Sequence, residues 1–293
     1  MPELPEVETI ANGVHARVRG ARIVSVWTSG KPQTFKSPEV EIEAVLTGAV
    51  IERVRRVGKT IVVSLGHRGT SKADSSAALR NDKQRLPNGK QKGVEQAEFL
   101  VHLGMTGQLL VAEGEVPAPA HTHAVLTLAD GREVRFVDPR RFGRLSIVRE
   151  AYAGPGVEPT TIEDSEFAGL FKGRKIAIKA ALLNQSLLHG VGNIYADESL
   201  FRAGIRPTRP AGNLTKAELG RLRVELQKVL ARAIELGGSS VSDYVDAEGM
   251  SGYFQIEHAV YGRGGEPCTV CGAAIKKIVV GGRGTHYCAK CQR

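Results

Sequence analysis

Residues 268–291 read CTVCGAAIKKIVVGGRGTHYCAKC, and the cysteine spacing in this stretch decides how the far end of the chain folds. Two CxxC pairs, Cys268 with Cys271 and Cys288 with Cys291, stand 16 residues apart, a spacing that suits one tetrahedral zinc ion. All the ligands would be thiolates, so no coordination position is left for water. The metal therefore holds a hairpin in place and takes no part in chemistry. Gly272 follows the first pair, and Gly281-Gly282 supplies a turn between the pairs. The hairpin carries Lys276, Lys277 and Arg283, a basic surface suited to phosphate or groove contact. The chain's 4 cysteines all fall here, which argues against a disulfide framework spread through a small secreted domain.

Working outward, 293 residues suffice for two ordinary domains, and a hydrophobic content of 42% supplies a core. No apolar run reaches the roughly 18 residues of a membrane span. The first residues carry Glu3, Glu6 and Glu8 and no apolar signal core, so a soluble intracellular protein is expected. A net charge of +9 favours a polyanionic partner, and nucleic acid is the leading class.

Val7, Ile10, Val14 and Val18 recur at helical spacing over 5–18. Short β-type runs follow at 22–27, 50–57, 59–65, 98–103, 108–112, 124–129, 133–137 and 144–148. Many short strands with Gly turns predict an antiparallel sandwich or barrel with the first helix along it. Residues 67–97 are polar and rich in Lys and Arg, and read as an inserted, disordered loop. It is either a passive insertion or an extra grip on a polyanion. GPGVEPTT (154–161) reads as a linker, and the chain then turns helical over 176–184, 194–204 and 215–236. Thr215 and Glu218 open the last of these as a capping box, and Gly237-Gly238 closes it. The expected class is α+β: a β-sandwich domain over 1–152, a helical domain over 153–258 and a zinc finger over 259–293.

Four shorter motifs carry chemistry. Met1 before a small residue is normally trimmed, leaving Pro2 with a free secondary amine beside Glu3. Taken alone, this is either a reactive amine–carboxyl pair or a by-product of translation initiation. GVGNIYADE (190–198) offers Gly190 and Gly192 for close backbone approach and Asn193 at a helix start. It fits a phosphate site or ordinary turn chemistry. DPRRFG (138–143) sets two arginines beside Phe142, either a surface turn or a pair of groups that enter a base stack. Met105 in HLGMTG (102–107) is core or a partner of that turn. His121 and His123 alternate at a strand start, so at most one faces a given site.

Together these residues resemble the bacterial formamidopyrimidine-DNA glycosylases. The likeness runs from MPELPEVET through RRVGKTIVV, HLGMTG, DPRRFG and GVGNIYADESLF to GYF (252–254), VYGRGGEPC and the four-cysteine ribbon. Leu4, with Met105, Arg140 and Phe142, favours the purine-lesion branch over the endonuclease VIII type, which tends to begin PEGPE. The resemblance implies a β-sandwich joined to a helical domain containing a helix–two-turn–helix element, with one structural zinc per chain and no organic cofactor. It implies Pro2 as nucleophile, Glu3 as its acid/base partner, Lys59 as an aid at the deoxyribose, and Arg283 as a phosphate grip and elimination residue. It also implies DNA contacts at His121, Arg140, Arg174, Lys179 and Asn193, and void filling by Met105, Arg140 and Phe142. Glu6 would sit near the lesion, as would Ser239, Ser240 and Ser242 in a lid over 237–252. The implied partner is damaged double-stranded DNA, bound by a cytoplasmic bacterial monomer. An oxidised-pyrimidine enzyme and a non-catalytic damage-binding paralogue are the alternatives.

Overall fold

In the computed structural model, which describes residues 2–66, 97–240, 246–247 and 249–293, the N-terminal half is a β-sandwich. The expected insertion lies outside the described residues except for Ala97, which opens a strand. One sheet has the order β2 (Val50–Val57), β3 (Thr60–Gly66), β4 (Ala97–His102), β8 (Arg144–Val148). The other has the order β1 (Ile23–Thr28), β6 (Thr122–Leu128), β7 (Arg132–Val137), β5 (Gln108–Glu113). Every strand pair is antiparallel. Ile61, Val63, Phe99, Val101, Leu126, Val134 and Phe136 fill the space between the sheets.

The helical half holds α3 (Asp164–Phe171), α4 (Ile178–Leu182), α5 (Asn193–Arg202) and α6 (Lys216–Glu235), followed by the hairpin β9 (Lys276–Val280) and β10 (Arg283–Tyr287). The capping box of α6 forms as its sequence requires: the Glu218 amide donates to Thr215 Oγ1 at 3.2 Å, and the Thr215 amide donates to Glu218 Oε2 at 2.8 Å. Gly237 and Gly238 leave the helix at φ 73° and 83°, the left-handed region where glycine carries no Cβ penalty. Two helices were not expected from the sequence. α2 (Glu39–Leu46) starts behind Pro38 and has acidic residues in its first turn; α3 has Phe167 and Phe171 in the helical core. Both run only 8 residues, too short for apolar periodicity to stand out.

Helix α1 (Leu4–Val18) belongs to both halves. Val7, Ile10, Val14 and Val18 are buried in the sandwich core, whereas Leu4 is buried in the helical core. The chain's first turn is thus set at the junction. An ion network ties the same junction on its other side. Arg56 of β2, 5% exposed, pairs with Glu8 of α1 at 2.6 Å and with Glu158 of the linker at 3.0 Å. His189 Nε2 lies 3.3 Å from the second Glu158 oxygen. Burial raises the Glu158 carboxyl, but His189, Arg56 and Thr160 outweigh it and pull its pKa to about 2.

A folded pKa below the ordinary carboxylate value means stability that is present above about pH 4.5 and is lost as pH falls toward 2. Arg56→Ala leaves two partly exposed carboxylates that water can reach, so the expected loss is about 1–2 kcal/mol rather than that of a fully buried pair. Denaturant melts of both proteins at pH 7 and pH 4 check this. The wild-type advantage should shrink at the lower pH.

Candidate active site and zinc-held hairpin

The first residues of the chain are held by backbone and carboxylate contacts. The Glu3 amide donates to Glu6 Oε2 at 2.8 Å, and the Leu4 amide donates to the Gly190 carbonyl at 3.0 Å. Glu3 Oε1 accepts from the Ile194 amide at 3.4 Å, at the start of α5. The glycines of GVGN make this docking sterically possible. A Cβ at Gly190, where φ is 91°, would lie 2.9 Å from Leu4, and a Cβ at Gly192 would collide with the Glu3 carboxylate. What those glycines approach closely is the chain's own N-terminus. The Ile194 amide of α5 is occupied by Glu3, where the sequence had suggested a phosphate.

Pro2, Glu3, Glu6, Lys59, Met105, Asn193, Ser239 and Arg283 line one cavity of about 550 Å³. Its electrostatics follow from burial. Glu3 is pushed up to about 7, chiefly by burial, with Lys59 opposing and Glu6 adding to the rise. One Glu3 oxygen, Oε2, has no hydrogen-bond partner among the described residues. Lys59, in the turn between β2 and β3, is shifted below the usual lysine range by burial, against the attraction of Glu3. Arg283 lowers it further. Glu6 is raised by burial, but three donors hold it: the Tyr195 hydroxyl, the Ser239 amide at 2.8 Å and the Glu3 amide. It staples α1, α5 and the start of the 237–252 segment together.

The hairpin that brings Arg283 to the cavity is gripped from below by α4 and α5. Asn193 Nδ2 donates to the Gly284 carbonyl at 3.0 Å. Lys179 Nζ reaches the same carbonyl at 2.9 Å and Thr285 Oγ1 at 2.8 Å, and pairs with Asp197 at 2.7 Å. Asp197 also accepts the His286 amide at 2.9 Å. Lys179 is 0% exposed, so the expectation of a DNA contact there is corrected: its charge is spent on Asp197 and the hairpin, and no phosphate can reach it. The turn Gly281-Gly282, at φ 56° and 75°, closes the hairpin with Val280 opposite Arg283, and rests on Ala180.

The ribbon cysteines come together as their spacing implies. Their Sγ atoms lie within 4.8 Å of one another, with Cys268–Cys291 at 3.9 Å and Cys271–Cys288 at 3.5 Å. Tetrahedral zinc with thiolates at about 2.3 Å needs sulfurs about 3.8 Å apart, so the site fits one structural zinc ion.

Other nominated residues lie outside the cavity. Arg140 and Phe142 are exposed beside it, with the Arg140 guanidinium 4.9 Å from the Phe142 ring centroid. His121 is exposed at φ 64°, whereas His123 is buried against Ser29 and Asp138. Arg174 is exposed on the helical domain. Ser240 is engaged with Gln255 and Gly252, and Ser242 lies outside the described residues. The sequence reading missed Tyr261, which lines the cavity and stacks edge-on between His258 and His286. It also missed Gln185, which bonds the Gly190 amide and the Val191 carbonyl and so shapes the glycine loop. Tyr261 stands inside the quoted VYGRGGEPC stretch without being singled out, whereas Gln185 stands in none of the quoted motifs.

Comparison with known proteins places this geometry. The Formamidopyrimidine-DNA glycosylase N-terminal domain matches residues 1–145, the Formamidopyrimidine-DNA glycosylase H2TH domain 154–245, and the zinc finger found in FPG and IleRS 265–293. A Cupriavidus pinatubonensis relative named formamidopyrimidine-DNA glycosylase is 42% identical, with 100% of each chain covered. The fold is similar to a Lactococcus lactis FPG mutant solved with Fapy-dG-containing DNA (TM-score 0.82, 30% identity, 100% of each chain). It is also similar to the MutM (FPG) protein of Thermus thermophilus (TM-score 0.79, 39% identity, 99% of this chain and 98% of that one).

Chelation of the zinc is expected to unfold residues 268–291 and release Arg283 from the cavity rim, while the sandwich stays folded. Hydrogen exchange checks it: amides of 276–287 should lose protection, and those of β3 and β4 should keep it.

Proposed function

The chain belongs to the formamidopyrimidine-DNA glycosylase family, and on that premise we propose that it both excises oxidised purines and cleaves the abasic strand left behind. It is a DNA glycosylase of base excision repair; 8-oxoguanine opposite cytosine and formamidopyrimidines are its proposed lesions, and duplex DNA bound by a monomer its proposed setting. The observation that carries the reading is the pinned Pro2–Glu3 pair on the wall of a cavity whose other charged residues are Glu6, Lys59 and Arg283.

With Met1 removed, Pro2 presents an α-amine, whose pKa of about 7.7–8.0 leaves far more neutral amine at pH 7 than a lysine of about 10.4. The neutral nitrogen attacks C1′ of the everted nucleoside, and the C1′–N bond to the base breaks. Glu3, held near neutral pH by burial, protonates the leaving base, takes up the proton that the attached proline nitrogen sheds, and passes it to the ring oxygen as the C1′–O4′ bond opens to the iminium. The resulting iminium acidifies C2′. Loss of that proton expels the 3′-phosphate, and a second elimination expels the 5′-phosphate. Lys59, with its depressed pKa, is the nearby base for these proton transfers, and Arg283 steadies phosphate charge at the rim. Met105, Arg140 and Phe142 fill the space the base vacates. Glu6 lies at the same wall, but its three donors give it the task of holding Glu3 and Ser239.

Borohydride trapping on an 8-oxoguanine:C duplex is expected to link DNA to Pro2, with Met1 absent from the mapped peptide. A free-proline N-terminus that gives no cross-link with this duplex would refute the purine reading, and cleavage of a thymine glycol:A duplex in its place would favour oxidised pyrimidines. Base release should follow a bell-shaped pH profile, rising as the Pro2 amine loses its proton and falling above about pH 8, where little protonated Glu3 remains. Glu3→Gln should slow base release by about 10²–10⁴-fold. Single-turnover rates across pH 5.5–9 measure both effects.

A further inference from the structure

We infer that Asp138 and Thr106 form a clamp between two loops, and that this clamp sets how strictly the enzyme demands cytosine opposite the lesion. The inference rests on the proposed entry of Met105, Arg140 and Phe142 into the base stack.

The loop after β4 carries Met105, and the loop after β7 carries Arg140 and Phe142. The apolar tips are left in solvent: Met105 is 40% exposed and Phe142 47%. Beneath them the backbone is tightly determined. Asp138 is 0% exposed. Its Oδ1 accepts from Thr106 Oγ1 at 2.6 Å and from the Arg140 amide at 3.3 Å, and its Oδ2 accepts from the Gly143 amide at 2.7 Å. Its amide donates to the His121 carbonyl at 3.0 Å. Its carbonyl accepts from His123 Nε2 at 3.1 Å, and Ser29 Oγ lies 3.0 Å from the other ring nitrogen. Gly104, at φ 63°, brings the loops into backbone contact: a Cβ there would lie 2.5 Å from the Phe142 carbonyl carbon and the Gly143 nitrogen. Arg141 is held at φ 56°, a conformation that a side chain with a Cβ adopts only when its surroundings impose it.

A simple turn aspartate would account for the bonds to Arg140 and Gly143, which lie within its own loop. It does not account for Thr106, which belongs to the other. That bond fixes the distance between the Met105 tip and the Arg140–Phe142 pair. Those tips must enter the stack together, at the cost of unstacking a base step. Arg140 must then meet the edge of the orphaned base, where hydrogen-bond geometry alone separates cytosine from adenine. Loops already in register spend no binding energy on ordering. A clamp loosened by one hydrogen bond would let Arg140 adapt to either base.

The test compares Thr106→Val, Asp138→Asn, Asp138→Ala, Met105→Ala and Phe142→Ala. Single-turnover excision of 8-oxoguanine opposite C and opposite A gives the discrimination ratio. Cleavage of a preformed abasic site in single-stranded DNA, which has no stack to enter, serves as the control. Thr106→Val is expected to cut the ratio about tenfold, the factor carried by one hydrogen bond. Its abasic-site cleavage should stay within about twofold of wild type. Asp138→Asn keeps an oxygen for Gly143 and offers an amide to the Thr106 hydroxyl, so it should discriminate better than Asp138→Ala. A wild-type ratio in Thr106→Val, alongside a reduced ratio in Met105→Ala or Phe142→Ala, overturns the clamp. If Met105→Ala and Phe142→Ala also keep the wild-type ratio and rate, the void-filling reading falls, and the clamp with it.

Discussion

The structure depends on docking a chain terminus into a domain junction. A terminus normally frays, because few contacts tie it down. Here the Pro2 nitrogen, the proposed nucleophile, must keep its lone pair free, so the residues that follow hold it. The Glu3 amide is taken by Glu6, the Leu4 amide by Gly190, and the Glu3 carboxylate by the amide of Ile194. Leu4 then enters the helical core and Val7 the sandwich core. Two domains with separate cores thus share one helix, and the N-terminal end of that helix lies where they meet. Moving either domain against the other would move Pro2 relative to Lys59 or relative to Arg283.

The same docking separates two carboxylates three residues apart. Both are buried and both are raised by burial. Glu6 has its oxygens loaded with donors from three segments, which fixes it as an acceptor. Glu3 accepts from the start of α5 through one oxygen, and its other oxygen has no partner among the described residues. A carboxyl whose pKa is about 7 is suited to proton transfer at neutral pH. Lys59 opposes the rise at Glu3, and Glu3 opposes the fall at Lys59.

How much of this could be read from the sequence depended on the range over which each residue acts. Cysteine spacing, the TKAE box and the paired glycines at 237–238 act within a few residues, and they folded as their chemistry requires. Gly190 and Gly192 were readable as points of close approach, but the partner, far away in the chain's first turn, was not. Lys179 shows the limit most sharply. The family resemblance implied a DNA contact for Lys179, and only the packing of α4 against α5 and the hairpin reveals Asp197 beside it. Tyr261 escaped for the same reason: His286 and the cavity it meets come from other segments. Asp138 stood in the quoted DPRRFG stretch, but its bond to Thr106 of the other loop could not be read there.

The long-range contacts converge on α5. Asn193 and Asp197 stand one turn apart on α5, Glu198 follows Asp197 directly, and each serves the C-terminal segment. Asn193 holds Gly284, Asp197 holds Lys179 and the His286 amide, and Glu198 accepts the amides of Ala259, Val260 and Tyr261 at 2.8–2.9 Å. The N-terminus of the same helix receives Glu3. One helix of 10 residues therefore fixes the acid at one end of the cavity and the arginine-bearing hairpin at the other. The zinc ion closes the far end of that hairpin, and α5 decides where its near end points. Metal and helix must both be in place for Arg283 to face Pro2. That is the physical reason a metal with no open coordination site remains tied to chemistry it does not perform.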